Sequence, residues 1–294
     1  MHPQRTTRFT GLDAVLLLVL ACAAGWLAWR VTTVLGYDWD WSFLGRTILR
    51  RSEDGSLAPG LLLKGFVATL RLAAWTMLLA LAAGVAAGLC RVSRSLFLRL
   101  CARTYVETMR NTPPLVLVFL FYFFVGDWIM TALGAQELAY GLSEAWQERL
   151  AWIMAPPGRL AAFLSALTTL ALYEGAYIAE IVRSGVQSIE HGQWEAAYAL
   201  GLSRWQRMTC VILPQALRRM IPPLAGQFIS TIKDSSIVAV ISIPELTFEG
   251  LELMAATYRT FEIWLTVLGL YLLACLACSL AARRLETRLA RRAA

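Results

Sequence analysis

Leu72-Ala-Ala-Trp-Thr-Met-Leu-Leu-Ala-Leu-Ala-Ala-Gly-Val-Ala-Ala-Gly-Leu-Cys90 runs without a single charge. A helix that crosses the hydrocarbon core of a bilayer needs about 20 mostly apolar residues, so this stretch predicts a membrane-spanning helix. Ile263–Ala282 gives the same signal, again without a charge. Leu12–Leu35 also qualifies, with Asp13 and Arg30 near its ends, where they can reach the interface. Three further runs are apolar but interrupted: Asn111–Leu133 by Asp127, Leu160–Val182 by Glu174 and Glu180, and Met220–Ile243 by Lys233 and Asp234. The expected fold is an all-α polytopic membrane protein with six transmembrane helices.

Composition agrees. The 294 residues are 58% hydrophobic and 16% charged, with a mean hydropathy of +0.57. Soluble domains run about 45–50% apolar and about 25% charged, so a disordered chain, a disulfide scaffold and an ordinary cytosolic enzyme are excluded. None of the cysteines Cys22, Cys90, Cys101, Cys210, Cys275 and Cys278 falls in a segment assigned to the outside, which argues against a disulfide framework. Cys275-x-x-Cys278 has the spacing of a redox or metal pair. It sits in an apolar run without further ligands, which favours an ordinary helix- or lipid-facing pair.

The net charge of +7 is explained by where the basic residues sit. One set of connections holds Arg5 and Arg8, then Arg91, Arg94, Arg99 and Arg103, then Arg183, Arg204, Arg207, Arg218 and Arg219, then Arg283, Arg284, Arg288, Arg291 and Arg292. The other holds only Arg46, Arg50, Arg51, Lys64, Arg149, Arg159 and Arg259. The positive-inside rule makes the first set cytoplasmic. Both termini are then inside, as an even number of spans requires. Topology and anionic lipid account for the basic excess without nucleic acid. The first span could instead be a signal sequence, since Arg5 and Arg8 precede it and Val19-Leu-Ala-Cys22 loosely resembles a lipoprotein cleavage site. Its apolar run continues to Leu35, longer than a signal h-region, which favours a retained helix.

The outer connections read as interfacial. Trp26, Trp29, Trp39 and Trp41 cluster at the outer end of the first span, as an aromatic belt predicts. Gln136–Trp152 reads as one short amphipathic helix lying on the membrane, with Leu138, Leu142, Trp146, Leu150 and Ile153 at helical spacing. Gly84-x-x-x-Gly88 is a close-packing motif for two helices. No internal repeat is visible, so a path built between two such chains is more economical than a self-contained transporter.

The connection from about Val182 to Met220 reads as helix, turn, helix. Gln193–Leu200 is helix-compatible and ends at Gly201, a natural residue to leave a helix in the left-handed conformation. Ser203 caps the second helix, with Gln206 completing a capping box. Pro214 marks a kink or a handover to the next helix. The first helix carries small or acidic residues, Glu195, Ala196, Ala197 and Ala199, beside Trp194 and Tyr198. Small residues permit close approach of another backbone, and the aromatics offer interface anchors. The residues alone leave two readings open, a docking surface or a helix folded under its own bundle.

Glu195-Ala-Ala-x3-Gly201-x9-Val211-x-Leu213-Pro214 resembles the EAA loop of ABC importer permeases, EAA-x3-G-x9-I-x-LP, departing only in Val211 for Ile. Glu107-Thr-Met-Arg-Asn-Thr-Pro-Pro114, Ala176-Tyr-Ile-Ala-Glu-Ile-Val-Arg183, Lys233-Asp-Ser-Ser236 and Pro244-Glu-Leu246 are similar to the polar amino-acid branch of that family. The resemblance covers roughly residues 60–285. It implies a five-helix core with an added N-terminal helix, and three segments: 1–59, an N-terminal span and external loop; 60–285, the permease body with its cytoplasmic loop at about 185–215; and 286–294, a basic cytoplasmic tail. It implies that Glu195, Ala196, Ala197, Gly201, Leu213 and Pro214 form a coupling helix and its support, docked in a cleft of a separate cytoplasmic ATPase dimer. No G-x-x-x-x-G-K-[ST] phosphate loop occurs in this chain, so ATP and Mg would be bound by that partner, with no cofactor here. The other implied partners are a second permease subunit, identical or related, an external solute-binding protein, an amino-acid substrate and membrane lipid, in a bacterial cytoplasmic membrane.

Charged groups inside spans are expensive and line water-filled paths or pair with one another. Lys233 and Asp234 are adjacent and point to different sides of their helix, so each seeks its own partner. Glu174 is either hydrogen-bonded to a neighbouring helix or a counter-charge for a substrate ammonium. Glu180 and Arg183 have the spacing of an i,i+3 pair. Arg110-Asn111-Thr112-Pro113-Pro114 suits a helix start, while the family places this segment beside the translocation path, where Arg110 could meet a carboxylate. The substrate-path candidates are thus Arg110, Asn111, Thr112, Glu174, Lys233, Asp234 and Ser235. Two rivals stand beside the importer permease: a proton-coupled secondary transporter using Glu174 or Asp234, and a membrane scaffold or sensor signalling through the cytoplasmic loop. Both leave the EAA spacing unexplained.

Overall fold

The computed structural model describes residues 10–34, 36–51 and 55–291; Arg5, Arg8, Leu35 and Arg292, which entered the sequence reading, lie outside the described residues. The chain divides into two compact units, Met1–Leu44 and Gly45–Ala294. In the first, helix α1 runs Gly11–Val34. Its start is closed by Asp13, whose carboxylate accepts from the Thr10 amide at 2.8 Å and the Thr10 hydroxyl at 2.7 Å. After it, the Trp39 and Trp41 rings stack at 5.8 Å, with Tyr37 edge-on to Trp39 at 5.3 Å.

The second unit opens with a small antiparallel hairpin, β1 (Leu49–Arg51) and β2 (Leu57–Pro59). Helices α2 (Leu61–Arg91), α3 (Leu96–Asn111) and α4 (Pro114–Ala132) follow, then α5 (Ala135–Tyr140), α6 (Glu144–Ile153), α7 (Pro157–Gln187) and α8 (His191–Ala199). The long α9 (Arg204–Ile241), then α10 (Leu246–Thr257) and α11 (Thr260–Arg291), complete it. Among the described residues, five stretches are long and apolar enough to cross a membrane: Leu61–Arg91, Pro114–Ala132, Glu144–Gln187, Arg204–Ile241 and Thr260–Arg288. Each overlaps one of the expected spans, three of them enclosing it whole, while Pro114–Ala132 is shorter than the expected Asn111–Leu133 and Arg204–Ile241 stops short of Ile243.

Helices α2 and α7 form the central pair. A Cβ added at Gly84 would lie 2.6 Å from the Cβ of Ile178, and one at Gly88 would lie 2.6 Å from the Cβ of Val182. The Gly-x-x-x-Gly motif therefore brings these two backbones together. Two apolar clusters flank the contact. One gathers Leu72, Val118, Phe163, Leu167, Leu170, Val238 and Ile243; the other gathers Ile178, Val182, Ile189, Ile212 and Met220. Cys275 and Cys278 pack beside a third cluster around Ile232 and are free thiols.

Two sequence expectations change. The amphipathic segment Gln136–Trp152 is not one helix; it breaks into α5 and α6 between Gly141 and Ser143. Gln147 bridges the break, its Nε2 donating to the carbonyls of Tyr140 at 3.1 Å and Leu142 at 2.9 Å. Helix α2 begins at Leu61, well before the uncharged run at Leu72, and takes in Lys64 and Arg71. Arg71 has a reason to be there: its Nη1 donates to the carbonyls of Ala151 at 2.9 Å and Trp152 at 3.2 Å, while Trp75 Nε1 donates to Ile153 at 2.8 Å. These are orphan carbonyls at the end of α6, satisfied by a cation and an indole.

Helix α9 changes winding twice. A wider π turn at Arg207–Ile212 precedes Pro214, whose missing amide cannot serve the turn before it. The α-helical part ends at Asp234, and Ser235–Ile241 winds as a tighter 3₁₀ segment. At the loop before α10, Glu245 is fully buried. Its carboxylate accepts from the Phe248 amide at 2.8 Å, the Tyr271 hydroxyl at 2.8 Å and the Thr69 hydroxyl at 3.2 Å. It thereby ties α2, α10 and α11 together at the end of the bundle away from α8. Burial outweighs these donors and pushes the Glu245 pKa above the ordinary glutamate value.

Candidate functional site

Two regions hold the candidate residues, and α9 connects them. The first is α8. Gly201 follows it with φ +72. Its amide donates to Tyr198 O at 2.9 Å, and the Leu202 amide donates to Ala197 O at 3.2 Å. This pair of bonds is a Schellman closure, which needs a left-handed residue at Gly201. The chain then turns into α9, where Ser203 and Gln206 form the expected capping box.

The helix faces two ways. Ala197 is buried and Trp194 half-buried, the indole packing against the cluster of Ile189, Ile212 and Met220. Glu195, Ala196, Tyr198, Ala199 and Leu200 are exposed, and Glu195 lies 3.5 Å from His191 on the outer surface. Neither open reading of this helix was complete. Ala197 is the residue that turns inward; it sets α8 close to its own bundle and leaves Glu195 and Ala196 on the free face. Three contacts lock α8 to the base of α9. Gln215 Nε2 donates to Gln193 Oε1 at 3.0 Å. The Arg207 guanidinium covers the Tyr198 ring at 5.1 Å. Arg219 donates to the Ser188 carbonyl just before α8. Leu213 is half-buried and Pro214 exposed beside this junction.

The second region lies halfway along α7. Glu174 is fully buried. Gln227 Nε2 of α9 donates to its Oε2 at 2.5 Å, while Oε1 has no partner among the described residues. Asp234, two turns beyond Gln227, stands beside the same carboxyl. On the adjoining turns of α7 the Tyr173 and Tyr177 hydroxyls meet at 3.1 Å. Arg110 lies over the Tyr177 ring at 5.2 Å and 3.9 Å from Glu180. Glu180 also holds Arg91 and its expected i,i+3 partner Arg183. One carboxylate thus joins the ends of α2, α3 and α7 at the α8 side of the bundle.

The candidates from the sequence separate accordingly. Glu174 and Asp234 come together, and Arg110 stands one to two turns away. Asn111 is exposed and Thr112 half-buried, with the Thr112 hydroxyl spent on Thr108 O at 2.8 Å. Ser235 is buried and donates to Ile232 O at 2.8 Å, a helix-internal bond. Lys233 is exposed and makes no ion pair among the described residues. Gln227, Tyr173 and Tyr177 were missed from the sequence. The available signal was a polar side chain seven residues before Asp234, two helical turns away on the same face.

With this geometry in hand, comparison with known proteins gives a consistent answer. The family of binding-protein-dependent transport system inner membrane components matches residues 80–291. The glutamine transport system permease protein GlnP of Escherichia coli (strain K12) is 38% identical over 233 residues, covering 78% of this chain and 93% of that protein. The probable glutamine ABC transporter permease protein GlnP of Bacillus subtilis (strain 168) is 34% identical, covering 76% and 91%. A crystal structure of an amino acid ABC transporter with histidines superposes with a TM-score of 0.62 at 29% identity, covering 78% of this chain and 94% of that one. These relatives give no support to a proton-coupled carrier or a scaffold. On these matches the chain belongs to the family of binding-protein-dependent transport system inner membrane components, as a permease subunit of an ABC importer.

Proposed function

We propose that the chain moves polar amino acids inward across the bacterial cytoplasmic membrane, with α8 as the lever through which a partner ATPase drives it. The observation that carries the reading is the two-sided α8. Its exposed small face, Glu195 and Ala196, offers close approach to another protein, and its inner face, Trp194 and Ala197, is fastened to α9. Displacing α8 therefore moves the base of the helix that carries Gln227 and Asp234. ATP and Mg belong to the ATPase dimer; Leu213, Pro214 and Gly201 set the angle of the lever. A ligand that binds two states of this helix unequally shifts their populations, and ATP would do so through the docked ATPase.

Glu174 and Asp234 are the acids for a substrate ammonium, because two carboxyls facing each other away from water favour a cation between them. Arg110 is placed for the substrate carboxylate. Pro222, Gly226, Lys233 and Val240 form an exposed stripe along α9. A lysine facing lipid at this depth is costly, so this stripe is the side for a second permease subunit and the aqueous path between the two. Charge bias supports both termini and α8 in the cytoplasm, with α1 as a sixth crossing ahead of the permease body at 60–285 and a basic tail at 286–294. The solute-binding protein then docks at the opposite face.

The test is co-purification with the ATPase and the delivery protein, followed by reconstitution and assay of ATP hydrolysis against individual amino acids. Stimulation by polar amino acids, lost on disrupting α8, is expected. A complex whose ATPase touches other parts of the chain and leaves α8 free would overturn the reading.

A further inference from the structure

A cavity of about 930 Å³ lies at the end of the bundle away from α8, between the start of α2, the α6–α7 junction and the loop leading into α10. Its walls are apolar: Leu63, Val67, Leu72, Phe163, Ile243 and Phe248. Of its five charged groups three are cationic. Lys64 and Arg159 stand exposed at the rim. Arg71 lies seven residues further along α2, about 10 Å deeper. Arg71 spends Nη1 on the α6 carbonyls, but its buried Nε has no partner among the described residues. Two acids also line the space. Glu245 is saturated by its three donors. Glu249 lies in the field of Arg159 and Lys64 and offsets one of them, and burial raises its pKa. The cationic excess remains.

Trp152, another lining residue, is 82% exposed, and Trp146 on the same helix is exposed too. Tryptophans facing outward at the end of a bundle mark the headgroup level of a bilayer. The cavity therefore starts at the headgroups and descends into the acyl region, narrow enough in chemistry to want a chain and basic enough at its mouth to want a phosphate. It does not lead to the acids of α7. Leu72, Phe163 and Ile243 in its walls belong to one cluster with Leu167, Leu170 and Val238, and that apolar layer separates it from Glu174 and Asp234. We propose that this cavity is a binding site for an anionic phospholipid of the leaflet opposite α8, with the headgroup phosphate on Lys64 and Arg159 and an acyl chain running past Val67 toward Phe163. This inference needs only that the chain sits in a membrane; it stands or falls separately from the coupling role of α8.

The test is native mass spectrometry of the full chain in micelles holding equal amounts of phosphatidylglycerol and phosphatidylcholine with matched acyl chains. The wild type retains phosphatidylglycerol preferentially. Lys64→Gln and Arg159→Gln, both at exposed positions, each lower that preference about fivefold, and Glu249→Gln raises it. A phosphatidylglycerol with a photoactivatable acyl chain labels residues 63–72 or 155–163. Equal retention of the two lipids, an unchanged preference in the double variant, or labelling confined to other segments would each overturn the proposal. Displacement of the lipid by a mixture of free amino acids would overturn it as well, by assigning the cavity to the transported solute.

Discussion

Glu174 and Glu245 are both fully buried glutamates in the same bundle, yet their surroundings differ in kind. Glu245 accepts from a backbone amide, a tyrosine and a threonine drawn from three helices. Its lone pairs are provided for within the fold. Glu174 has one amide donor, one oxygen without a partner and a second acid beside it. A buried polar atom left unpaired is costly, and the fold keeps it. The first carboxylate is a fastening; under the proposed function, the second is kept for a substrate cation. The two acids differ by their partners, where burial alone would rank them equal.

The largest effect lies outside the pair and tests whether the lever is independent of both acids. Gly201→Asp puts a side chain at φ +72, where the left-handed conformation costs about 1–2 kcal/mol, and adds a charge on the lever surface. Uptake in proteoliposomes should be abolished while the chain still inserts and keeps its thermal transition. Bulky replacement at Ala196 should act alike without touching the turn. Full uptake by these variants would remove α8 from the mechanism.

Glu174→Gln should weaken the affinity for transported amino acids by roughly tenfold or more, the worth of one charge-assisted hydrogen bond, and change the order of preferred substrates. The melting temperature should move little. An unchanged uptake profile with a lowered melting temperature would place Glu174 in the same class as Glu245 and break the comparison.

Glu245→Gln should do the reverse, leaving substrate preference alone and altering how stability depends on pH. Because the folded pKa of Glu245 lies above its unfolded value, the folded state holds the proton more tightly. The stability this contributes is full below about 4.3, the ordinary glutamate value, and is lost as pH rises through the raised folded value. Melting temperatures recorded across that window should fall with rising pH in the wild type and fall less in the variant. Equal slopes would show that Glu245 is not the group responsible.

The smallest effect is expected at Asn111 and Thr112. Asn111 is exposed, and the half-buried Thr112 bonds its own helix. Alanine at either should change uptake by no more than about twofold, since surface changes away from special features stay within about 0.5 kcal/mol. A larger loss of transport would return this segment to the path.

The legible parts of the molecule are those whose causes are local. Apolar runs located the spans, because hydrophobicity over about 20 residues suffices to drive a helix into a bilayer. Gly201, Ser203 and Gln206 located both ends of the α8–α9 turn, because caps bond residues a few positions apart. Gly84 and Gly88 announced a close contact but did not name Ile178 and Val182 as its other side. The start of α2 was misjudged because Arg71 is made tolerable by carbonyls about eighty residues later. The break at Gly141 was missed because the apolar spacing continues through it.

By itself the amino-acid order determined that this chain is a helical membrane protein, which of its loops are basic, and where helix α8 ends. Hydropathy, charge and capping act over short distances, so one sequence is enough to read them. Only the tertiary structure decided that Glu174 meets Gln227 and Asp234, that Lys233 does not, that Ala197 faces inward, and that Lys64 and Arg159 share the rim of one cavity. These are pairings between separate helices. They depend on the rotation and depth at which each helix docks, set by many weak packing contacts that leave no mark in the spacing of any single segment.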